Sequence, residues 1–290
     1  MTALSQPTPL LQTRQLSKTF GSVDALSAVD FNLYPGEVHA VLGENGAGKS
    51  TLIKLMTGVH KKDSGHILLN GHEIHPRDPH HAQEFGISTV YQEINLIPTL
   101  SVAENLYLGR QPLRFNFINQ RAMNRQASEL LKRFHIQIDV TRELSQFSIA
   151  IQQLVAIARG VDMSAKVLIL DEPTASLDRN EVSLLFDVMR QLKEQGIGIL
   201  IITHFLDQVY EISDRITILR NGKKVGEHLT ADLPRTQLIS EMLGKELSAE
   251  LASTDTNNTS SSAQETMVQV NRLSRKGMLD AFDLEINKGE

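Results

Sequence analysis

The sequence predicts an α/β fold: a mostly parallel sheet covered by helices, with a β subdomain and an inserted helical subdomain. Three observations carry this. Short apolar runs at 38–42, 166–170 and 197–202 lack the alternation of half-exposed strands and read as strands buried on both faces. Apolar side chains at helical spacing follow them at 50–56 and 182–192. The first run also leads straight into a glycine-rich segment that opens a helix, the order strand, loop, helix.

The elements follow in order. Residues 1–9 hold two prolines and polar side chains and read as a flexible leader. Leu10 to Gly58 gives strand, loop, strand, glycine-rich turn, helix. Residues 58–81 are rich in Gly, His, Pro and Asp and predict turns around a short strand at 67–69. Apolar spacing from Ser101 to Ala158 is mostly helical, which sets an inserted helical subdomain at about 95–160. Six histidines in the turn-rich stretch (His60, His66, His72, His75, His80 and His81) fit no metal-ligand spacing and read as solvated turns.

Composition excludes several classes of protein. An apolar share of 41% over 290 residues is enough for a packed core, so global disorder is excluded. Lys and Arg number 29 against 34 Asp and Glu, a net charge of −5, which is not the basic footprint of a nucleic-acid binder. The absence of cysteine rules out disulfides, Cys-ligated zinc and thiol catalysis. No run approaches the ~18 apolar residues of a membrane span, and the N-terminus has no basic residue before Arg14 and no signal-peptide core. Membrane contact is therefore expected to run through a partner.

A break in composition marks a second unit. Residues 247–266 form a polar linker, reading STDTNNTSSSAQET at 252–265. Beyond it VQVNRLSR at 268–275 matches LQTRQLSK at 11–18, and FDLEINKGE at 282–290 matches VDFNLYPGE at 29–37. A first domain at 10–246 and the start of a second copy at 267–290 are expected.

Two motifs carry chemistry. GENGAGKS at 43–50 fits the phosphate-binding pattern G-x-x-x-x-G-K-[ST]. Its span (Gly43, Glu44, Asn45, Gly46, Ala47, Gly48) lets backbone N–H groups close around a phosphate. Lys49 supplies a charge to the outer phosphate oxygens, Ser50 a hydroxyl to Mg²⁺, and Thr51 continues the helix N-terminus. In VLILDEP at 167–173, Asp171 ends a buried strand where α/β sheets bind ligands and is suited to the Mg²⁺ water shell. Glu172 follows, placed to polarise a water as general base.

With these motifs in hand, the chain resembles the ATP-binding cassette (ABC) family over residues 10 to about 245. Phe20 stands where the family stacks an aromatic on adenine. Gln92 in VYQE matches a glutamine that touches Mg²⁺ and opens the surface receiving the membrane subunit. Ser176 to Asp178 matches the loop that crosses between two cassettes, and His204 matches a histidine that contacts the γ-phosphate. The signature segment departs from the family's Leu-Ser-Gly-Gly-Gln: here it is Phe147, Ser148, Ile149, Ala150, Ile151, and then Gln152. Ser148 remains an N-cap candidate, but both glycines are gone, so Ile149 and Ala150 are expected against the triphosphate of an opposing cassette.

The resemblance implies an ATPase with ATP and Mg²⁺ as cofactors, Glu172, His204 and Lys49 as catalytic residues, and Ser50, Gln92 and Asp171 around the metal. Loosened signatures and THFLDQVYEISDRITILRNG at 203–222 look most like the branch that imports monosaccharides with two fused cassettes. Its partners would be transmembrane permease subunits, a periplasmic sugar-binding protein acting indirectly, and a second ABC domain. The chain would then be peripheral to the cytoplasmic face of the inner membrane. Two other readings stay open: a tandem ATPase acting on ribosomes or DNA, and a nucleotide-binding regulatory module that barely hydrolyses ATP.

Overall fold

The structure, a computed structural model, describes residues 8–91, 95–244, 266–275 and 279–287. It divides into one unit ending at Met242 and another beginning at Leu243. Apart from Thr8 and Pro9, the expected leader lies outside the described residues, as does the linker apart from Thr266.

The first unit opens with the antiparallel strands β1 (Leu11–Phe20) and β2 (Val23–Leu33). After β3 (Val38–Leu42) and helix α1 (Lys49–Met56), β4 (Ser64–Leu69) and β5 (His72–Glu73) complete a four-stranded sheet in the order β2-β1-β4-β5. This is the β subdomain. Its strand β4 begins three residues before the expected start, because the main-chain pairing of Arg14 with His66 and Ser17 with Ser64 extends the ladder past the apolar core of the run.

The central sheet has six strands. Helix α2 (Pro79–Phe85) precedes β6 (Ile87–Val90), and the later strands are β9 (Val167–Asp171), β10 (Gly198–Ile202), β11 (Arg215–Arg220) and β12 (Lys223–Leu229). Their order is β12-β11-β3-β10-β9-β6, parallel throughout except for the edge strand β12. Every residue of β3 and β10 and the first four of β9 are buried, as both-face coverage requires. Helix α6 (Arg179–Glu194) lies between β9 and β10 in the chain, and its start is set by a capping box of Asp178 and Glu181. Helices α7 (Leu206–Ile212) and α8 (Arg235–Leu243) follow β10 and β12.

The helical subdomain is built from α3 (Val102–Tyr107), α4 (Gln120–Arg133) and α5 (Ile149–Asp162). The expectation of mostly helical spacing through this stretch misses a β-hairpin between α3 and α4, β7 (Leu113–Arg114) with β8 (Phe117–Ile118). Leu106, Met123, Leu130, Leu154 and Val155 share one hydrophobic cluster with the central sheet, so the subdomain is packed onto the sheet rather than tethered to it.

Among its described residues the second unit contains an antiparallel hairpin, β13 (Thr266–Arg275) with β14 (Leu279–Asn287). It repeats a detail of the first unit. In β1, Gln15 takes φ 50° and its N–H bonds Asp30 Oδ1 at 2.7 Å. In β13, Arg272 takes φ 46° and its N–H bonds Asp283 Oδ1. Under the sequence alignment given above, Arg272 falls on Gln15 and Asp283 on Asp30, so both irregularities coincide.

Candidate active site

Sheet order brings the motifs together. Strands β3, β10 and β9 are neighbours, and Ile202 pairs with Val41 on one side and Asp171 on the other. The loops after all three strands therefore leave the same carboxyl edge of the sheet, where open α/β sheets bind ligands.

The glycine-rich loop follows β3. Gly48, immediately before α1, has φ 106°, and a Cβ there would stand 2.7 Å from the Ala25 carbonyl oxygen. At Gly43 a Cβ would come within 2.2 Å of the Leu219 carbonyl oxygen, so no side chain fits. The loop is wedged between the start of β2 and the end of β11 with its following turn, and the Ala47 carbonyl accepts the Gly222 N–H at 3.1 Å. Lys49 Nζ donates to the carbonyls of Gly43 at 2.7 Å and Glu44 at 3.0 Å. Its ammonium is thus held over the loop, available to exchange neutral carbonyls for phosphate oxygens.

A cavity of about 610 Å³ lies over this loop. Asn45, Gly46, Gly48, Lys49, Ser50, Thr51, Asp171 and Glu172 line it, together with Val23, Asp24, Ala25, Ile202 and Asn221. Burial pushes the Lys49 ammonium below the usual lysine range, opposed by the Glu172 and Asp171 carboxylates. Burial and the neighbouring Glu172 charge raise the Asp171 carboxyl, opposed by Lys49 and Lys54. Three carboxylates (Asp24, Asp171 and Glu172) and one lysine in a common concavity form a site poised for an added cation and a polyanion.

Glu172 adopts φ 47°, a left-handed conformation that costs a residue with a Cβ about 1 kcal/mol or more. Its N–H bonds the Ile202 carbonyl at 2.8 Å, which fixes that turn against β10. The carboxylate is thereby directed to His204, whose Nδ1 lies 3.5 Å from Glu172 Oε1. Asp171 and Ser50 present the hard oxygen donors that Mg²⁺ selects, and both line the cavity.

Phe20 ends β1 as the register partner of Val23, beside the cavity mouth. It is 42% exposed, with His60 edge-on at 5.1 Å and the Lys18 ammonium over its ring at 5.3 Å. Gln92 lies outside the described residues. Ser148 caps α5, accepting the Ile151 N–H at 3.5 Å, but is not part of the cavity lining. The expectation for Ile149 and Ala150 needs correction. Ile149 is 46% exposed, whereas Ala150 is 2% exposed. Of the two, only Ile149 is open to solvent.

The sequence reading missed Asp24, Ala25 and Asn221. They are held together because the Ser27 N–H in β2 bonds the Gly222 carbonyl at 2.8 Å, pinning that strand to the distant β11–β12 turn. The Asn-Gly pair at 221–222 signals a turn but not its destination.

A six-stranded, mainly parallel sheet, a phosphate loop and a strand-end Asp-Glu pair facing a histidine define a P-loop nucleotide-binding cassette. The sequence model of the ABC transporter family matches residues 26–175, more than half of the chain, and the protein belongs to that family. It is 50% identical over 281 residues to the galactofuranose transporter ATP-binding protein YtfR of Escherichia coli K12, covering 97% of this chain and 56% of that protein. It is 44% identical over 282 residues to the ribose import ATP-binding protein RbsA 1 of Rubrobacter xylanophilus, covering 97% of this chain and 55% of that one. The chain thus spans about half the length of these relatives. Among solved structures, the ADP conformation of MJ1267, an ATP-binding cassette of an ABC transporter, superposes with a TM-score of 0.72 at 26% identity, over 81% of this chain and 97% of that one.

Proposed function

We propose that this chain binds and hydrolyses Mg-ATP at the cavity over Gly43 to Thr51 and so energises import of a monosaccharide through separate permease subunits. The observation that carries the hydrolytic part is the pairing of Glu172 with His204 at 3.5 Å on the rim of a cavity that also holds Lys49 and Asp171. Lys49 and the loop amides bind the phosphates, and Phe20 receives the base at the mouth. Glu172 takes a proton from the attacking water, and His204 orients the γ-phosphate side of the site. Ser50 and Asp171, with Gln92, would hold Mg²⁺, which when bound neutralises charge developing on the phosphates. Catalysis then consists of positioning and charge stabilisation without a covalent intermediate.

The sugar-import reading is supported by the names of the relatives, galactofuranose transporter and ribose import ATP-binding proteins. A groove of about 190 Å³ between β6, α2 and α5 supports permease docking. It is lined by Tyr91, next to Gln92, and by Arg159 and Thr89, whose buried Nε and Oγ1 atoms lack partners and suit a polar helix end from another subunit. Among the described residues no helix is long and apolar enough to cross a membrane, consistent with a peripheral subunit on the cytoplasmic face of the inner membrane. A periplasmic sugar-binding protein would act only through the permease.

The second unit reads as the start of another cassette at 267–290, joined to the first, 10–246, by the linker 247–266. The matching left-handed residues Gln15 and Arg272, each anchored by an aspartate, support it. So does the chain's 56% share of its relative's length. The functional test is steady-state ATPase of this chain extended through a second cassette, in vesicles with and without the permease subunits. Permease and transported sugar should raise the rate severalfold; a rate indifferent to both would contradict the transport reading.

A further inference from the structure

The hairpin that interrupts the helical subdomain has no role in the site described above. Its side chains Leu113, Phe115, Phe117 and Ile118 are 65%, 85%, 78% and 54% exposed. Among the described residues of the first unit, no other group of neighbouring large apolar side chains is as open to solvent. Four exposed apolar residues in six are costly unless something covers them.

The turn itself is irregular in a telling way. Phe115 and Asn116 both take positive φ, 51° and 66°, the backbone of a two-residue hairpin turn that favours Asn-Gly. A bulky aromatic at the first of these positions is strained, and the strain is not repaid by burial, since Phe115 is the most exposed large apolar residue described. The fold therefore holds a phenylalanine out in solvent at a cost.

The charge around it selects the occupant. Residues 109–128 contain Arg110, Arg114, Arg121 and Arg125 and no Asp or Glu, in a chain whose net charge is −5. Arg114 lies over the Phe115 ring at 5.4 Å, and Arg114, Arg121 and Arg125 are exposed. Arg110 anchors the base of the hairpin, donating to Asp162 at 2.8 Å near the end of α5. Asp162 follows Arg159 and Gly160, which line the groove assigned above to the permease. Arg125 pairs with Glu129 at 4.0 Å, whereas Arg114 and Arg121 have no carboxylate partner among the described residues. Aromatic tips flanked by such arginines match an anionic lipid interface: rings at the headgroup level and guanidinium groups on phosphates.

We infer that the Leu113–Ile118 hairpin is a membrane-contact finger, setting Phe115 and Phe117 into the anionic headgroup layer beside the permease. Its position on the membrane side rests on the permease-docking reading; the lipid contact itself does not. Two rings and the exposed Arg114 and Arg121 supply weak, reversible attachment, a supplement to permease docking rather than an anchor.

The chain contains no tryptophan, so Phe115→Trp creates a single fluorescent reporter at the tip. With protein-free vesicles containing phosphatidylglycerol at low ionic strength, its emission should shift to the blue, and should not do so with pure phosphatidylcholine. In flotation assays, Phe115→Ser with Phe117→Ser should lower recovery on anionic vesicles by about fivefold or more, and Arg114→Gln with Arg121→Gln should remove the preference for anionic lipid. Melting temperature and ATP binding of both variants should match wild type, which separates failure of the finger from failure of the fold or of the nucleotide site. An unshifted reporter, or double variants that float like wild type, would overturn the inference. Hairpin dependence seen only with permease-containing vesicles would overturn it too, by assigning the finger to a protein surface.

Discussion

Replacing Glu172 with glutamine should leave Mg-ATP bound while hydrolysis falls by about two orders of magnitude or more. The substitution keeps the shape of the side chain and its place in the turn held by the Ile202 carbonyl. What it removes is the carboxylate that faces His204 at 3.5 Å and, in the proposed mechanism, accepts a proton from water. A hundredfold loss corresponds to about 2.7 kcal/mol of transition-state stabilisation, in the range expected for one general base. Removing the charge also relieves Asp171, whose carboxyl is raised in part by Glu172. ATP affinity should therefore hold or tighten slightly, and the two effects should separate in a binding titration run alongside single-turnover hydrolysis. Wild-type turnover by Glu172→Gln would remove the residue from the role of base.

The second large effect concerns the signature helix. Ser148 and the start of α5 do not line this chain's own cavity, so the γ-phosphate side of the site is open to completion by another cassette. This 290-residue chain should accordingly bind Mg-ATP but hydrolyse it slowly, with a specific rate that rises with protein concentration. Extending it through a second cassette should raise the rate about tenfold or more and abolish the concentration dependence. In the proposed pairing the exposed Ile149 would hold an opposing triphosphate away from the helix amides, so Ile149→Gly should partly rescue the chain when it pairs with itself. Ala150→Gly should not. Its methyl is buried in the helical subdomain, and its loss would cost about 1 kcal/mol of helix stability without opening the site. Vigorous turnover by the unmodified chain at every concentration would contradict this account.

The contrast between Ile149 and Ala150 shows where sequence reading stopped. Motifs whose chemistry is local were legible: the glycine loop, Lys49 and the Asp171–Glu172 pair follow from a strand entering a turn. Ser148 as a cap was legible for the same reason, since a hydroxyl three residues ahead of an N–H needs no tertiary information. Which of two adjacent helix residues faces outward depends on what the helix packs against, and no window of α5 contains that. Likewise Asp24 and Asn221 are brought to the cavity by a bond between segments far apart in the chain, Ser27 of β2 to Gly222. The clash at Gly43, with the Leu219 carbonyl, is non-local too, although the glycine itself could be named from the motif. The hairpin at 113–118 escaped because Phe-Asn is not a turn pair that sequence statistics favour; the irregularity that hid it is the one that gives it meaning.

One equilibrium measurement tests the central claim, that the cavity over Gly43 to Thr51 is the ATP site, most directly: titration of Mg-ATP into the purified chain and into Lys49→Ala. Among the described residues the Lys49 ammonium bonds its own loop carbonyls and faces the Glu172 and Asp171 carboxylates, so its removal should leave the fold intact and take away the charge proposed to meet the phosphates. The account predicts saturable binding by the wild-type chain and an affinity at least about tenfold weaker in Lys49→Ala, with an unchanged melting temperature in the absence of nucleotide. Equal affinity in the two proteins would place ATP elsewhere and contradict it.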